Sequence, residues 1–360
     1  MNHSTPQYRI LKQAGQIKVI AAEWDRLAQK CQSPLYTNAW FHSCAKAFCP
    51  ENELHIIVME MDGELSAIAP MRIRKRAGIR FCEFIGASDL YEPSGLIYKN
   101  SDCLTSLVKD LLARKKSIIF SRMDDCPDTL EAIRSACRNR GIVISRKMPN
   151  SLVFKSDSTC ATFEDSLSLK TNRKIRRKMK QAQKFGKVTF EVVTPTRNNL
   201  DDFLQELYDV ENSGWKKRTG TSIKSQPAMQ AFLENYAASC IETGALRMFV
   251  MRIDAKPVAV KMAVVNSNKL WEIKIGYDEE YAKCSPGILL THEALRYVFE
   301  ENFDGYEFLG EEEEWEHMWT REQKSYFSVH VYPYSLSGIT SLAREGVLFF
   351  IKKIKSATSS

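Results

Sequence analysis

The stretch LRMFVMRI-DAKP-VAVKMAVV-NSNK-LWEIKIGY, residues 246–277, decides how the second half of this chain folds. It consists of apolar runs separated by short polar links that contain turn-forming residues. Apolar runs of this length between turn signals are typical of strands joined by tight connections. The stretch therefore predicts three successive antiparallel strands, Leu246–Ile253, Val258–Val265 and Leu270–Tyr277.

Helical and strand-like patterns flank this stretch in a regular order. Upstream, the sequence predicts a basic helix at 164–185 that ends before Gly186, a strand at 188–193, and helices at 199–213 and 227–243. Downstream, it predicts a helix at 286–301, strands at 306–309 and 326–332, and a final helix at 339–354. The fold class that follows is α/β (α+β), with a mixed, largely antiparallel sheet and flanking helices.

The N-terminal half has a similar layout. A helix is predicted at 16–31, strands at 53–61 and 64–74 joined by the hairpin signal Asp62-Gly63, helices at 102–115 and 128–140, and a strand at 117–123. The tetrapeptide EFIG at 83–86 also resembles EFLG at 307–310. The shared layout favours a duplicated fold, although a similarity of four residues also arises by chance.

Composition excludes several classes of protein. Hydrophobic residues make up 44% and charged residues 26% of the 360 residues, which excludes bulk disorder. No apolar run approaches the ~18 residues of a membrane span, and the N-terminus lacks the pattern of a secretory signal. The ten cysteines are scattered without any C-x-x-C, so we predict no metal and a cytoplasmic protein.

Charge is concentrated in two blocks. Residues 166–190 carry nine Lys or Arg and no acid, whereas residues 300–316 carry nine acids and no base. Three interpretations of the basic helix 164–185 stay open: a solvated face, an anion-binding surface, or internal pairing with the acidic block. The anion would be a CoA phosphate, an anionic lipid or polysaccharide, or RNA.

Several short motifs occur in an order that resembles a known family. They are ENSGWK at 211–216, GYDEEY at 276–281, SPG at 285–287, YEFLG at 306–310 and WT at 319–320. Together with the element order, they resemble the GNAT-type acyltransferases associated with bacterial cellulose-biosynthesis proteins. That family is related in fold to Fem-type aminoacyltransferases, which carry two GNAT-like domains and use tRNA.

The resemblance implies two GNAT-like domains in tandem. They would be a degenerate N-terminal domain at 1–155 and an acyltransferase domain at 156–335, followed by a helix and tail at 336–360. It also implies an acyl-CoA co-substrate, with acetyl-CoA as the first choice, and an amine or hydroxyl acceptor. Two positions depart from the family pattern: the pyrophosphate loop KCSPG at 283–287 keeps one glycine, and Glu316 stands where a lysine is common.

Candidate donor-binding residues lie at the start of the predicted helix 286–301. Ser285 can cap the helix, Pro286 suits its first turn, and Gly287 allows close approach to the backbone. Exposed N–H groups there would bind a phosphate of CoA. We predict contacts from Lys283, Ser285, Gly287 and Ile288; an ordinary capped helix is the alternative.

Candidate catalytic residues lie on and after the third strand. Strict alternation places Trp271, Ile273, Ile275 and Tyr277 on one face, and Glu272, Lys274 and Asp278 on the other. A carboxylate near the acceptor can take its proton, so Glu272 is the first candidate for the base and Asp278 the second. Tyr281 is a candidate general acid. Surface ion pairing and ordinary packing are the alternatives.

Two further segments are candidates for binding. Trp215, Lys216, Lys217 and Arg218 combine an aromatic ring with cations, which suits a sugar or an anionic acceptor, or else a helix C-terminus. The apolar face of the final helix either docks on the protein or touches the inner face of a membrane.

The function that follows is acyl-CoA-dependent N- or O-acyl transfer, by direct attack, to a sugar, lipid or polysaccharide precursor. Two alternatives stay open. One is a non-catalytic protein that binds RNA or another anion on a decayed GNAT fold. The other is an aminoacyl-tRNA-dependent transferase of the Fem type.

Overall fold

The structure is a computed structural model that describes residues 5–50, 52–76, 78–156, 162–213 and 222–358. The strands are β1 (Gln7–Leu11), β2 (Ile56–Met61), β3 (Glu64–Ala69), β4 (Met71–Arg76), β5 (Ile79–Phe84), β6 (Ile97–Tyr98), β7 (Ser117–Asp124), β8 (Gly141–Lys155), β9 (Val188–Val193), β10 (Leu246–Ile253), β11 (Lys256–Asn266), β12 (Lys269–Tyr277), β13 (Gly305–Glu307) and β14 (Gln323–Pro333). The helices are α1 (Ala14–Val19), α2 (Ala21–Ala28), α3 (Asn38–Phe48), α4 (Ala87–Leu90), α5 (Ser101–Ala113), α6 (Pro127–Cys137), α7 (Phe163–Ser166), α8 (Leu169–Ala182), α9 (Leu200–Asn212), α10 (Pro227–Glu242), α11 (Pro286–Glu300) and α12 (Leu336–Thr358).

The chain forms two compact units. The first comprises residues 1–31, 35–149 and 325–360, and the second comprises residues 32–34 and 150–324. These ranges differ from the predicted domains 1–155, 156–335 and 336–360. The predicted strand at 326–332 and the final helix belong to the first unit, because most of β14 pairs with β7 of that unit.

The first unit contains two sets of paired strands. One sheet has the order β1-β2-β3-β6, and a second set runs β4-β5-β7-β14. The predicted hairpin at Asp62-Gly63 is confirmed: both residues have positive φ, at 54° and 77°, and join the antiparallel strands β2 and β3. Positive φ at both central residues is the turn that matches the twist of a two-residue hairpin.

The second unit is built on the predicted three-strand meander. Its strands have the order β13-β12-β11-β10-β9, with the end of β8 paired to β13. Two tight turns join β10 to β11 and β11 to β12, and their central residues have positive φ: Asp254, Ala255, Ser267 and Asn268. Strand β11 is buried along most of its length, and helices α9 and α11 contact strands β11 and β12.

Strands β12 and β13 are parallel and pair only over a short distance. The register joins Lys269 to Gly305, Leu270 to Tyr306 and Trp271 to Glu307. Strand β13 then ends, whereas β12 continues through residues 272–277. The described pairing with β13 therefore ends at Trp271. No described strand pairs with this edge of β12 beyond Trp271, so the edge can bind a ligand as an edge strand does.

The basic segment forms two helices instead of one. Helix α7 ends at Ser166, and Ser168 caps α8 by accepting a hydrogen bond from Thr171 N at 3.1 Å. The predicted helix at 339–354 lies within α12, whereas its contact with a membrane stays a prediction. No helix in the described ranges has both the length and the apolarity to cross a bilayer.

Candidate active site

A lysine lies in the middle of the buried strand β11. Lys261 interrupts the apolar run VAVKMAVV and is 0% exposed. Its ammonium has three partners, which equals its number of donors: Glu272 Oε2 at 2.6 Å, Tyr306 Oη at 2.6 Å and Thr291 Oγ1 at 2.9 Å. Burial lowers the pKa of Lys261, and the nearby charge of Glu272 opposes this shift.

Glu272 receives hydrogen bonds from two buried groups. The hydroxyl of Tyr306 donates to the same carboxylate oxygen, Oε2, that contacts Lys261. Burial, together with the charge of Glu272, raises the pKa of Tyr306 well above its usual value, so the phenol stays protonated. The Glu272 side chain is 11% exposed. A carboxylate held by two donors but still in contact with the surface can reach a substrate in the opening between β12 and β13.

A β-bulge in β12 places Glu272 on the face that carries α11. The register pairs Met262 with Lys274 but Ala263 with Glu272, so Ile273 is the extra residue. Glu272 contacts Lys261, which contacts Thr291 on α11, and a Cβ built on Gly287 of α11 would lie 3.7 Å from Ile275. Glu272 and Ile275 therefore share a face, and the predicted alternation was wrong because a bulge shifts it by one residue.

Glu316 joins this cluster from a distant segment. It lies in the 3₁₀ turn Glu314–Met318 and is 6% exposed. Burial first, and the charge of Glu272 after it, raise the pKa of Glu316 to about 8, against the effects of the Glu313 N–H and of Lys261. The sequence marked Glu316 only as a departure from a family lysine. We refer to Lys261, Glu272, Thr291, Tyr306 and Glu316 as the Lys261 cluster.

The raised pKa of Glu316 predicts a pH-dependent stability. Because its pKa in the folded protein lies above the unfolded value of 4.5, the folded state binds the proton more tightly. This contribution is complete below about pH 4.5 and is lost as the pH rises towards 8. Glu316→Gln cannot ionise, so we expect it to be more stable than wild type at pH 8 by about 1–3 kcal/mol.

Urea unfolding between pH 5 and pH 9 measures this effect. The difference between variant and wild type is expected to grow with pH. Glu314→Gln, on the same turn but at an exposed residue, is the matched control and should leave the pH profile unchanged. A constant difference across the range would contradict the assignment of the titration to Glu316.

The predicted donor-binding residues lie at the start of α11, at the far end of β12. Pro286 occupies the first turn as expected, but Ser285 makes no side-chain cap and instead has a left-handed φ of 53°. The N–H groups of Ser285 and Ile288 already donate to Ala282 and Ser285 carbonyls. Lys283 lies in the 3₁₀ turn 279–284, and its carbonyl accepts from Lys178 of α8 at 2.9 Å.

Asp278 and Tyr281 lie apart from Glu272. Asp278 is six residues further along the extended chain, about 20 Å away at the rise of a strand. Its carboxylate accepts from Lys256 at 2.9 Å and from the Glu280 N–H at 3.1 Å, which explains its burial. The Tyr281 ring packs against Phe185 at 5.2 Å. The structure therefore does not bring the three predicted catalytic residues together.

Two of the motifs that resemble the family, ENSGWK at 211–216 and GYDEEY at 276–281, are in contact through Glu211 and Gly276. A Cβ on Gly276 would lie 2.8 Å from Cβ of Glu211 on α9, so only glycine allows this approach. Glu211 Oε2 accepts from the Ile223 N–H at 2.9 Å. The rest of the first motif, with the predicted binding residues Trp215, Lys216, Lys217 and Arg218, lies outside the described residues.

The nine cations of the basic segment are not paired internally. In the described ranges, none of the lysines and arginines between 170 and 187 forms an ion pair. Acids of the block 300–316 form ion pairs with other residues, for example Glu307 with Lys269 at 3.2 Å. Internal pairing of the two blocks is therefore wrong. The described residues also contain no cluster of potential metal ligands. Cys284 is buried, and burial raises the pKa of its thiol.

Comparison with known protein families gives a match for one part of the chain. Residues 170–317 match the family model described as an acetyltransferase (GNAT) domain. This range contains the whole Lys261 cluster, the start of α11 and all of helix α8 except its first residue. A search of curated proteins gives no match.

Solved structures share the fold at low sequence identity. The C-terminal DUF2156 domain of a candidate lysylphosphatidylglycerol synthetase from Agrobacterium fabrum has a TM-score of 0.57 and 11% identity, covering 93% of this chain and 97% of that one. FemX has a TM-score of 0.56 and 13% identity, covering 91% and 97%. A tandem GNAT protein from the clavulanic acid pathway has a TM-score of 0.52 and 10% identity, covering 90% and 98%. The predicted tandem fold is confirmed, and residues 170–317 of this chain are similar to the GNAT acetyltransferase domain.

Proposed function

We propose that the chain transfers an acyl group from acyl-CoA directly to an amine or hydroxyl of a sugar, lipid or polysaccharide precursor, as in the cellulose-biosynthesis-associated acyltransferases that it resembles. The observation that carries the proposal is the position of the Lys261 cluster. Its one carboxylate near the surface, Glu272, lies where β12 and β13 separate in a GNAT domain. A carboxylate that is held in place through one oxygen, and whose other oxygen is left for the acceptor, is an arrangement that suits a general base.

Glu272 is the base in this mechanism. It takes a proton from the acceptor amine or hydroxyl as the nitrogen or oxygen attacks the acyl carbon. The new C–N or C–O bond forms, the C–S bond of the thioester breaks, and the sulfur leaves with a proton from a nearby acid or water. Lys261 and Tyr306 hold the Glu272 carboxylate in place through Oε2, which leaves Oε1 for the acceptor.

We place the acyl-CoA donor at the C-terminal end of β12. The open edge of residues 272–277 leads from Glu272 to the start of α11, where the helix dipole favours a phosphate. Lys178 of α8 reaches the carbonyl of Lys283 and brings positive charge to this loop. The N–H of Gly287 is the backbone donor that we assign to the pyrophosphate, since those of Ser285 and Ile288 are already bonded.

A panel of acyl-CoAs tests the proposal. A ligand at a hundred times its dissociation constant should stabilise the protein by ~2.7 kcal/mol. Gly287→Val should weaken acyl-CoA binding by about tenfold, because the branched side chain covers the Gly287 N–H. The fold should persist, since a Cβ there meets Tyr277 and Ile275 at ordinary distances of 3.6 and 3.7 Å.

Thermal shift and calorimetry with acetyl-CoA and longer acyl-CoAs provide the measurement. Gly287→Ala, which adds only the Cβ, is the matched control and should bind nearly as wild type does. Equal affinity of wild type and Gly287→Val for acyl-CoA would contradict the assignment of the donor site to the start of α11. Absence of stabilisation by every acyl-CoA would refute the choice of donor.

An aminoacyl-tRNA donor is the second candidate. Helix α8 carries a row of exposed cations without ion pairs, and such a row suits a nucleic acid backbone. Binding of tRNA with a steep salt dependence, together with no response to acyl-CoA, would favour this candidate.

A further inference from the structure

A cleft lies between the start of α8 and the segment that follows Glu313. Its volume is about 710 Å³, which is in the range of pockets that hold small molecules. The residues of its walls that matter for binding are Ser168, Lys170, Lys174, His317, Trp319 and Arg321.

The cleft carries a net positive charge. Lys170, Lys174 and Arg321 line it, with Glu314 as the one carboxylate among its walls. None of these three cations has an ion-pair partner in the part of the chain that the structure describes. Three unpaired cations around one concave site attract an anion.

The position of the helix start adds to this attraction. The first turn of α8 contains no acid and includes Lys170, so a cation lies at the positive end of the helix dipole. Cations at a helix N-terminus are unfavourable, whereas an anion there is favourable. A bound anion would therefore offset the unfavourable interaction of Lys170 with the helix dipole.

Two polar atoms of the walls are buried and have no partner within the described residues. They are the indole Nε1 of Trp319 and Nδ1 of His317. Trp319 is 7% exposed, and a buried N–H is costly to leave without an acceptor. His317 Nε2 lies 2.7 Å from Glu312, which fixes the orientation of the imidazole ring in the wall.

The cleft is joined to the Lys261 cluster by the same turn. The charges of Glu272 and Lys261 act on the pKa of Glu316, and the nearby residues His317 and Trp319 line the cleft. Thr171 Oγ1 fixes the start of α8 to this segment by donating to Met318 O at 3.1 Å.

We propose that this cleft binds the phosphate group of the acceptor, a small phosphorylated compound that carries the reacting amine or hydroxyl. The role of the bound molecule as acceptor rests on the proposed function, whereas the phosphate site does not. Three cations, a helix N-terminus and an unpaired indole N–H match a phosphate better than a carboxylate, because phosphate offers more acceptor oxygens.

Calorimetry with sn-glycerol 3-phosphate, in the absence of any acyl donor, tests the site separately from acyl transfer. Lys170→Gln/Lys174→Gln should weaken binding by more than tenfold. Lys180→Gln/Lys184→Gln is the matched control, since it removes two lysines at the same spacing from exposed positions outside the cleft; it should change binding by less than about twofold. Trp319→Phe removes the indole N–H together with the rest of the five-membered ring, and it should weaken binding by about tenfold in a protein that thermal unfolding shows to be folded.

Vesicles that contain phosphatidylglycerol in phosphatidylcholine form a second arm, which separates a lipid headgroup from a free phosphate ester. Equal losses in the two lysine pairs, or no binding of either probe by wild type, would overturn the proposal. So would weaker CoA binding in Lys170→Gln/Lys174→Gln with unchanged glycerol phosphate binding, because the cleft would then serve the donor. Binding of RNA but of neither phosphate probe would overturn it as well.

Discussion

Replacing Glu272 by Gln is expected to lower the rate of acyl transfer by roughly 10²–10⁴-fold. The amide keeps the size of the carboxylate and still accepts from Lys261 and Tyr306, but it cannot take a proton from the acceptor. The loss should fall on kcat, with a small change in KM, because the base acts in the transition state.

Steady-state kinetics with the best acyl-CoA from the panel measures this effect. Glu307→Gln is the matched control: Glu307 is also a buried, ion-paired glutamate, bonded to Lys269 on the adjacent strand, but it lies outside the Lys261 cluster. Thermal unfolding of both variants tests whether they are folded.

Two results would count against Glu272 as the base. Near-normal turnover of Glu272→Gln from pH 6 to pH 9 would leave proton removal to solvent, since Asp278 is bound to Lys256 at the far end of the strand. An equal loss in Glu307→Gln would show that the rate responds to any missing buried carboxylate.

The sequence predicts most of the second unit because its signals there are local. Strands β9 and β10 have the predicted bounds, whereas β11 is longer than predicted by three residues and β12 by one. By contrast, β8 was not predicted: its sequence GIVISRKMPNSLVFK contains a proline and several polar residues, which locally disfavour a strand. The pairing of β8 with β13 and the burial of its end compensate for this.

The candidate site depends on contacts that no local pattern contains. The sequence does indicate the role of Lys261, since a single lysine inside an eight-residue apolar run is typical of a buried, hydrogen-bonded charge. No sequence pattern indicates the bulge at Ile273, because LWEIKIGY is equally typical of a regular strand. Glu316 joins Glu272 from more than forty residues away, and only the tertiary fold brings these two carboxylates together.

Replacing Lys261 by Met is expected to lower the free energy of unfolding by about 3–5 kcal/mol. The side chain is 0% exposed and its ammonium bonds to three groups. Methionine has a similar length and fills the space, but it leaves the Glu272 charge without its counter-ion and the Thr291 hydroxyl without its donor. The cost therefore comes from the charge left behind and not from a cavity.

The double variant Lys261→Met/Glu272→Leu separates these two causes. Removing both charges of a buried pair is often neutral or stabilising, so the double variant should recover most of the stability that Lys261→Met loses. Urea unfolding, followed by a fluorescent label attached to the second unit, measures all four members of the cycle. Additive losses in the double variant would mean that Lys261 acts by packing alone. A large coupling would show that Glu272 is held as an anion by Lys261, which is the state that a proton acceptor must have before the acceptor binds.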